Sequence, residues 1–504
     1  MLHQRAGPSL HMVLPSIDFG LNSTMELLPP SEDRLMALPD DVLVLILEKL
    51  GGGAREAIRT CSLVSRRWSR LPWLLPEPKI SIQDFLPRGT ELHDELAPAE
   101  LGRAMGAFCR AVSSFLSNSN AIATTGSRCL NLEFVLANGC LPAIQRLLGG
   151  DAGGTAAGKA SALKFSIRTA AHETDCGEAP MRRYARWFKR FMAASSGAFR
   201  LLASLELWNL WLGSAGVAAV LGACPRLQRL ALRHCHTTSA DSRRGEVLVI
   251  DDAPTLGELV VDMCFYRLVE LRSAPKLTRL TCDMWTATGA PLSLTGAPGL
   301  ETLVLVNGAS RFERPFRLSE LLVGTTNLRC LSLNFQSEKI WIQPEPPRSL
   351  YTAFGKLTAL SIGGIFTQCD FLWMMILLEA ARFLQEFRIA VQKHLCSGGD
   401  YKERREPLWR KQSDFKHNHL VTLQITGFEA QDKHIGFVRL VMERAINLKT
   451  VVLVDEEPCS YCGFANDPTS SSIESKYPKN EDEKGFTVKQ LKAELSSSAQ
   501  IVMR

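Results

Sequence analysis

Cys224-Pro225-Arg226-Leu227-Gln228-Arg229-Leu230-Ala231-Leu232 is followed by Ala253-Pro254-Thr255-Leu256-Gly257-Glu258-Leu259-Val260-Val261. Ala274-Pro275-Lys276-Leu277-Thr278-Arg279-Leu280 and Ala297-Pro298-Gly299-Leu300-Glu301-Thr302-Leu303-Val304-Leu305 continue the phrase. Looser copies are Leu202/Leu205/Leu207, Leu328/Leu331/Leu333, Leu357/Leu360/Ile362, Leu384/Phe387/Ile389, Leu420/Leu423/Ile425 and Leu448/Val451/Leu453. The leading residues Leu227, Leu256, Leu277, Leu300, Leu328 and Leu357 stand 29, 21, 23, 28 and 29 apart. One such phrase fits any amphipathic helix. A series of them at this spacing, four with Pro at the same offset, is a stacked repeat.

The physics of the phrase is that of a strand. Leu-x-x-Leu-x-Leu places its last two leucines on one face of an extended segment. One unit cannot bury that face, and stacked neighbours build a continuous core. Cys235 and Cys264 fall eight positions after their leading leucines, where a leucine-rich repeat takes Asn or Cys at the turn. The Pro before each leading leucine ends the preceding helix or loop, because the residue before Pro is held out of the helical region. The spacing predicts an α/β leucine-rich-repeat solenoid over 129–455, with an insertion between Leu384 and Leu420. Its last part, 415–455, reads as strand, helix, strand: His419 to Phe428, a helix holding Phe437, Leu440, Val441 and Ala445, then Asn447 to Leu453.

Upstream stands Asp33-Arg34-Leu35-Met36-Ala37-Leu38-Pro39-Asp40-Asp41-Val42-Leu43. Leu43, Ile46, Leu47 and Leu50 then form one apolar stripe of a helix that starts near Pro39. Gly51-Gly52-Gly53 stops it. A second helical segment spans about 55–60, and a third carries Val64, Trp68 and Leu71 around Ser65-Arg66-Arg67-Trp68. Leu-Pro-Asp-Asp-Val-Leu with Ser-Arg-Arg-Trp resembles an F-box, and the repeats resemble those of plant F-box/leucine-rich-repeat proteins. The strand–helix–strand end is similar to their FBD-type region. The resemblance implies a three-helix F-box at 31–76 that docks a Skp-type adaptor, and through it a cullin. It implies adaptor contacts at Leu38, Pro39, Val42, Leu43, Ile46, Val64 and Trp68. It departs from the family at Gly51-Gly52-Gly53-Ala54-Arg55-Glu56, where an apolar-Pro loop is usual.

The remaining segments follow. Residues 1–30 read as a flexible extension, 77–128 as a helical connector, and 456–504 as a polar tail with a C-terminal helix near Phe486–Leu495 as a possible cap. Within that tail the polar run Asn466–Lys484 is expected to be mobile. A chain of 504 residues exceeds one ordinary core. Its net charge of +6 is small for that length and interspersed with acids, which gives no nucleic-acid signature. Met1–Gly20 is broken by Pro8, His11, Pro15 and Asp18, so no secretory signal is read there. Phe371–Leu384, the most apolar window, is too short to span a bilayer and reads as a buried helix. The 14 cysteines are scattered, as in a reducing compartment, so cytoplasm or nucleus is the expected location.

No motif of bond-making chemistry stands up. Gly153-Gly154-Thr155-Ala156-Ala157-Gly158-Lys159-Ala160 lacks the hydroxyl that a phosphate loop needs after its Lys. Met181–Phe191 is basic and aromatic, but Tyr184, Trp187, Phe188 and Phe191 share one helical face, as in a repeat helix with a solvated basic side. Lys402–Arg405 with Arg410-Lys411 reads as a charged surface loop. Cys459-Ser460-Tyr461-Cys462 has no second pair to complete a zinc site. The expectation is a non-catalytic chain with no cofactor and no metal: the target-selecting subunit of an SCF-type ubiquitin ligase, with an unknown target protein and no nucleic-acid or membrane partner. The alternatives are a hormone-type small-molecule co-receptor and an adaptor-bound protein without a ubiquitination role.

Overall fold

The leucine phrases are strands in the computed structural model. It describes residues 37–50, 67, 68, 71, 74, 75, 77–87, 89–92, 97–118, 129–137, 139, 141–148, 161–172, 176–237, 245–285, 289–308, 314–336, 340–366, 369–392, 414–455 and 476–504. The strands are β1 Lys79–Ser81, β2 Cys129–Val135, β3 Ala162–Arg168, β4 Leu202–Trp208, β5 Arg229–Arg233, β6 Val247–Ile250, β7 Glu258–Asp262, β8 Leu268–Leu271, β9 Arg279–Trp285, β10 Leu292–Ser293, β11 Thr302–Asn307, β12 Cys330–Asn334, β13 Ala359–Phe366, β14 Glu386–Gln392, β15 Thr422–Thr426, β16 Thr450–Val454 and β17 Gln500–Met503. Fourteen of them, all but β6, β8 and β10, form one sheet in sequence order. Neighbouring strands pair in parallel, as with Leu205↔Leu230 and Leu331↔Leu360. The three exceptions make a second parallel sheet, β6-β8-β10.

Each strand alternates a buried and a more open row. Leu205, Leu207, Leu230, Leu232, Leu303 and Leu305 are 0% exposed, and with their buried equivalents from β2 to β16 they form the floor of one long core. Helices cover that row: α2 Pro98–Asn118, α3 Leu141–Leu148, α4 Glu178–Ala194, α5 Ser214–Ala223, α6 Met374–Ala380, α7 Asp432–Arg444 and α8 Glu481–Lys492, with single turns at Ser196–Phe199 and Leu318–Leu321. In α4 the expected Tyr184, Phe188 and Phe191 are buried together with Met181, and the fourth expected residue, Trp187, is half-buried against the same core. The apolar window holds α6, whose Met374, Met375, Leu377 and Leu378 are all buried. Among the described residues no helix is long and apolar enough to cross a membrane.

The prolines work as turn residues as well as helix stops. The N–H of Leu227, Leu256, Leu277 and Leu300 donates to the carbonyl three residues back, on Cys224, Ala253, Ala274 and Ala297. Pro therefore sits at the second turn position, where its fixed φ is favoured. Only Pro225 follows a helix. The other three follow β6, β8 and β10. Just beyond each turn one carbonyl accepts two N–H groups of the next unit, as Gln228 O does from Gly257 and Glu258, and Gly257 O from Thr278 and Arg279. This ladder locks unit onto unit.

The sheet extends past 129–455 at both ends. β1 lies within the stretch expected to be a helical connector, and α8 with β17 lies within the expected polar tail. Helix α8 begins inside the run expected to be mobile, because Asn480 caps it and Glu481, Asp482 and Glu483 face its positive end. Tyr477 ties the approach down, its hydroxyl engaging the carbonyls of Leu453 at 3.2 Å and Arg504 at 2.7 Å. Residues 466–475 lie outside the described residues.

Candidate functional site

Two surfaces are placed by the fold. The first is the Leu-Pro-Asp-Asp segment. Helix α1, Asp40–Leu50, follows Pro39 directly, and the Leu43 N–H donates to Pro39 O at 3.1 Å. Arg67 joins the two halves of the motif. Its guanidinium pairs with Asp40 at 2.7 Å and donates to Leu38 O at 2.6 Å. Beneath them Leu43, Leu47, Trp68 and Leu71 form a small core of their own, with Leu38 and Ile46 packed on it. A full helix trio is not described, since 51–66 lie outside the described residues, and Val64 with them.

This geometry divides the expected adaptor contacts. Leu43 is fully buried and Trp68 is 7% exposed, so both hold the module together. Pro39 is exposed, and Leu38, Val42 and Ile46 are half-buried. Leu45, off the stripe, is 56% exposed. The helical period puts it opposite the Leu43-Leu47 face.

The second surface is the open face of the large sheet. The register stacks Glu133, Ser166, Glu206, Ala231, Val260, Thr281, Val304, Ser332, Ser361, Arg388 and Gln424 in one column across successive strands. Charges concentrate on β1 to β9. Glu133 accepts from Lys79 at 3.0 Å, Arg168 at 2.6 Å and Ser81 at 3.0 Å. Burial alone would raise its carboxyl, but the two cations outweigh that and hold it below the usual carboxylate range. The Arg168 guanidinium lies 4.2 Å from the Trp208 ring, and that of Arg233 at 5.2 Å. Arg233 also pairs with Glu206 at 2.6 Å and with Asp262. Arg229 reaches Glu258 at 3.4 Å and Glu206 at 3.8 Å. Asp283, beside Asp262 in the register, is pushed up by burial and then by that neighbouring carboxylate.

From β11 to β13 the same face changes character. Thr302, Val304, Cys330, Ser332, Ala359 and Ser361 line a shallow groove of about 190 Å³, closed on the β14 side by Glu386 and Arg388, which pair at 2.8 Å. Nothing in the leucine spacing reveals this groove. Its residues are the variable positions between the leucines, and only the register shows which of them become neighbours.

The turn cysteines are inward and inert. The Cys235 N–H donates to Cys264 Sγ at 3.2 Å, and the Cys235 thiol to Leu207 O at 3.4 Å. Burial pushes the Cys235 thiol up to about 12. Cys459 and Cys462, the glycine-rich run 153–160 and the basic run 402–411 lie outside the described residues. His434 is buried in α7 against the Phe371 ring, at 4.5 Å. Among the described residues no group of three or more His, Cys, Asp or Glu is arranged to hold a metal ion.

Residues 190–485, more than half of the chain, match the family described as At1g61320/AtMIF1, LRR domain. No curated protein matches the chain. Among solved structures, the crystal structure of a TLR13–ssRNA13 complex is similar at a TM-score of 0.37 and 13% identity, over 77% of this chain. The chain spans 55% of that one.

Proposed function

We propose, from the premise that this chain belongs to the plant At1g61320/AtMIF1 leucine-rich-repeat domain family, that it recruits proteins on the open face of its sheet for an SCF-type ubiquitin ligase. A leucine-rich-repeat domain supports a protein-interaction role. The finer reading rests on the F-box-like motif. In it the Leu-Pro-Asp-Asp segment is an F-box that docks a Skp-type adaptor, and the adaptor joins the cullin. The strand–helix–strand of β15, α7 and β16 is the FBD-like end. The chain contributes proximity rather than catalytic groups, binds no cofactor, and works in the cytoplasm or nucleus.

One observation carries the docking half. Arg67, the neighbour of Trp68, ties in Asp40 and the Leu38 carbonyl, over a core separate from that of the sheet. That arrangement leaves Pro39 and Leu45 facing outward. Each aliphatic side chain buried on a partner stabilises by about 1.5–3 kcal/mol, so a few suffice. The test is co-purification with a Skp-type adaptor. Wild-type chain retains the adaptor, and Leu38→Ala/Pro39→Ala or Leu45→Asp releases it. Failure of the wild type to retain it, or equal retention by both variants, rules the docking out.

A further inference from the structure

We infer that the rim where strands β9 to β14 begin receives an acidic segment of the partner protein, whose apolar side chain seats in the uncharged groove beside it. This rests on the protein-recruiting reading of the open face and names the chemistry of what is recruited.

The reason is an imbalance of charge. On the open face of β1 to β5 the cations are matched: Lys79 and Arg168 by Glu133, Arg233 by Glu206 and Asp262, Arg229 by Glu258 and Glu206. Such a network is internally satisfied and offers little to a charged ligand. Along the rim from β9 to β14 stand Lys276, Arg279, Arg329, Lys356 and Arg382, all exposed. Among the described residues no carboxylate pairs with any of the five. The acids in the same turns are Glu301, which is exposed, and Glu386, which Arg388 engages.

Two of the cations are held in place without being neutralised. Lys356 donates to Asn327 Oδ1 at 2.6 Å, and Asn327 is itself fixed by donating to Pro298 O at 2.9 Å. The Arg382 guanidinium lies 4.0 Å from the Tyr351 ring. Fixed, unmatched cations lose little freedom when a carboxylate arrives. Strands spaced about 4.8 Å apart set the row out over roughly 19 Å, the reach of about six extended residues.

The floor beside the row selects a polypeptide over a nucleic acid. Open-face positions from β9 to β14 carry no aromatic ring on which a base could stack. The exposed ring on the rim, Phe383, already lies against His419 at 5.2 Å. Thr302, Val304, Ser332 and Ala359 leave room for one bulky apolar side chain.

The test is fluorescence anisotropy with the full chain and three labelled probes: a short Glu/Ser peptide with a central Leu, the same peptide with Gln for Glu, and a short oligouridylate. The Glu peptide binds, weakening as salt rises, and the Gln peptide binds roughly tenfold more weakly. Arg279→Gln/Arg329→Gln/Lys356→Gln weakens the Glu peptide roughly tenfold, and Ser332→Trp weakens it by filling the groove. Lys189→Gln/Arg190→Gln on α4 changes nothing. Absence of binding, equal binding of Glu and Gln peptides, an unaffected triple variant, or tighter binding of oligouridylate overturns the inference. Adaptor capture is read separately. A chain that captures adaptor and ignores the Glu peptide sinks this inference alone, and the converse sinks the docking alone.

Discussion

At the residue scale, the return from the open strand to the helix side needs a left-handed backbone. Asn209, His234, Met263 and Met284 hold φ of 56°, 49°, 50° and 50° at equivalent places in the register, and Gly427 takes the role later at 74°. Non-glycine residues seldom adopt this region. At Gly427 space is short as well, since an added Cβ would lie 2.3 Å from Val391 O. Gly427→Ala should therefore lower the unfolding free energy by about 1–3 kcal/mol, read from urea denaturation. A pH effect belongs at this scale too. His236 is 4% exposed, and burial, then His234, pulls its pKa down to about 4. Its depressed value means that the stability it contributes is whole above the unfolded value of about 6.5. That contribution is lost as pH falls from there toward about 4. His234 and His417 are lowered by burial and act in the same direction. His236→Phe should flatten the fall in urea midpoint across that window, and an unchanged slope would show that other groups carry it. No spacing rule marks His236, because its burial comes from Phe265, 4.5 Å away on the next unit.

At the element scale, the backs of the units close in two ways, by a helix or by a strand. The repeats led by Leu256 and Leu277 are 21 and 23 residues long and return through strands β8 and β10. A strand rises about 3.3 Å per residue against 1.5 Å for a helix, so a short return spans the layer only when extended. The unit led by Leu202, 25 residues long, holds α5, whereas the 29-residue unit led by Leu227 returns through β6, so a long return takes either form. The leucines were legible because each one needs burial wherever the fold puts it. The charged column was not, because Glu133 and Arg168 are 35 residues apart and meet only through β2–β3 pairing. That column makes its own test. Arg233→Met leaves Glu206 facing Asp262 and Asp283 without the cation between them. Stability should drop by roughly 1–3 kcal/mol, less than for a fully buried pair. Adding Asp262→Asn should recover part of the loss.

At the scale of the whole molecule the described residues form two cores. The large one runs through the fourteen-stranded sheet, and the small one is Leu43, Leu47, Trp68 and Leu71. Trp68→Ala should cost the small core about 3–5 kcal/mol and leave the main unfolding transition of the sheet in place. Calorimetry that shows the main transition shifted would mean that the two are coupled. Adaptor capture should fail in the same variant. What the sequence by itself determined is the repeating unit: its period, its buried leucines, its turn prolines and the Leu-Pro-Asp-Asp module ahead of it. Those follow from backbone geometry and hydrophobic burial, which act within one unit and its nearest copies. The tertiary structure alone decided which variable residues share the open face, that β1 and β17 extend the sheet beyond the leucine phrases, and that Leu43 and Trp68 turn inward. Parallel pairing brings together residues 20 or more positions apart, and no local pattern in the chain encodes which charges will be matched and which left free.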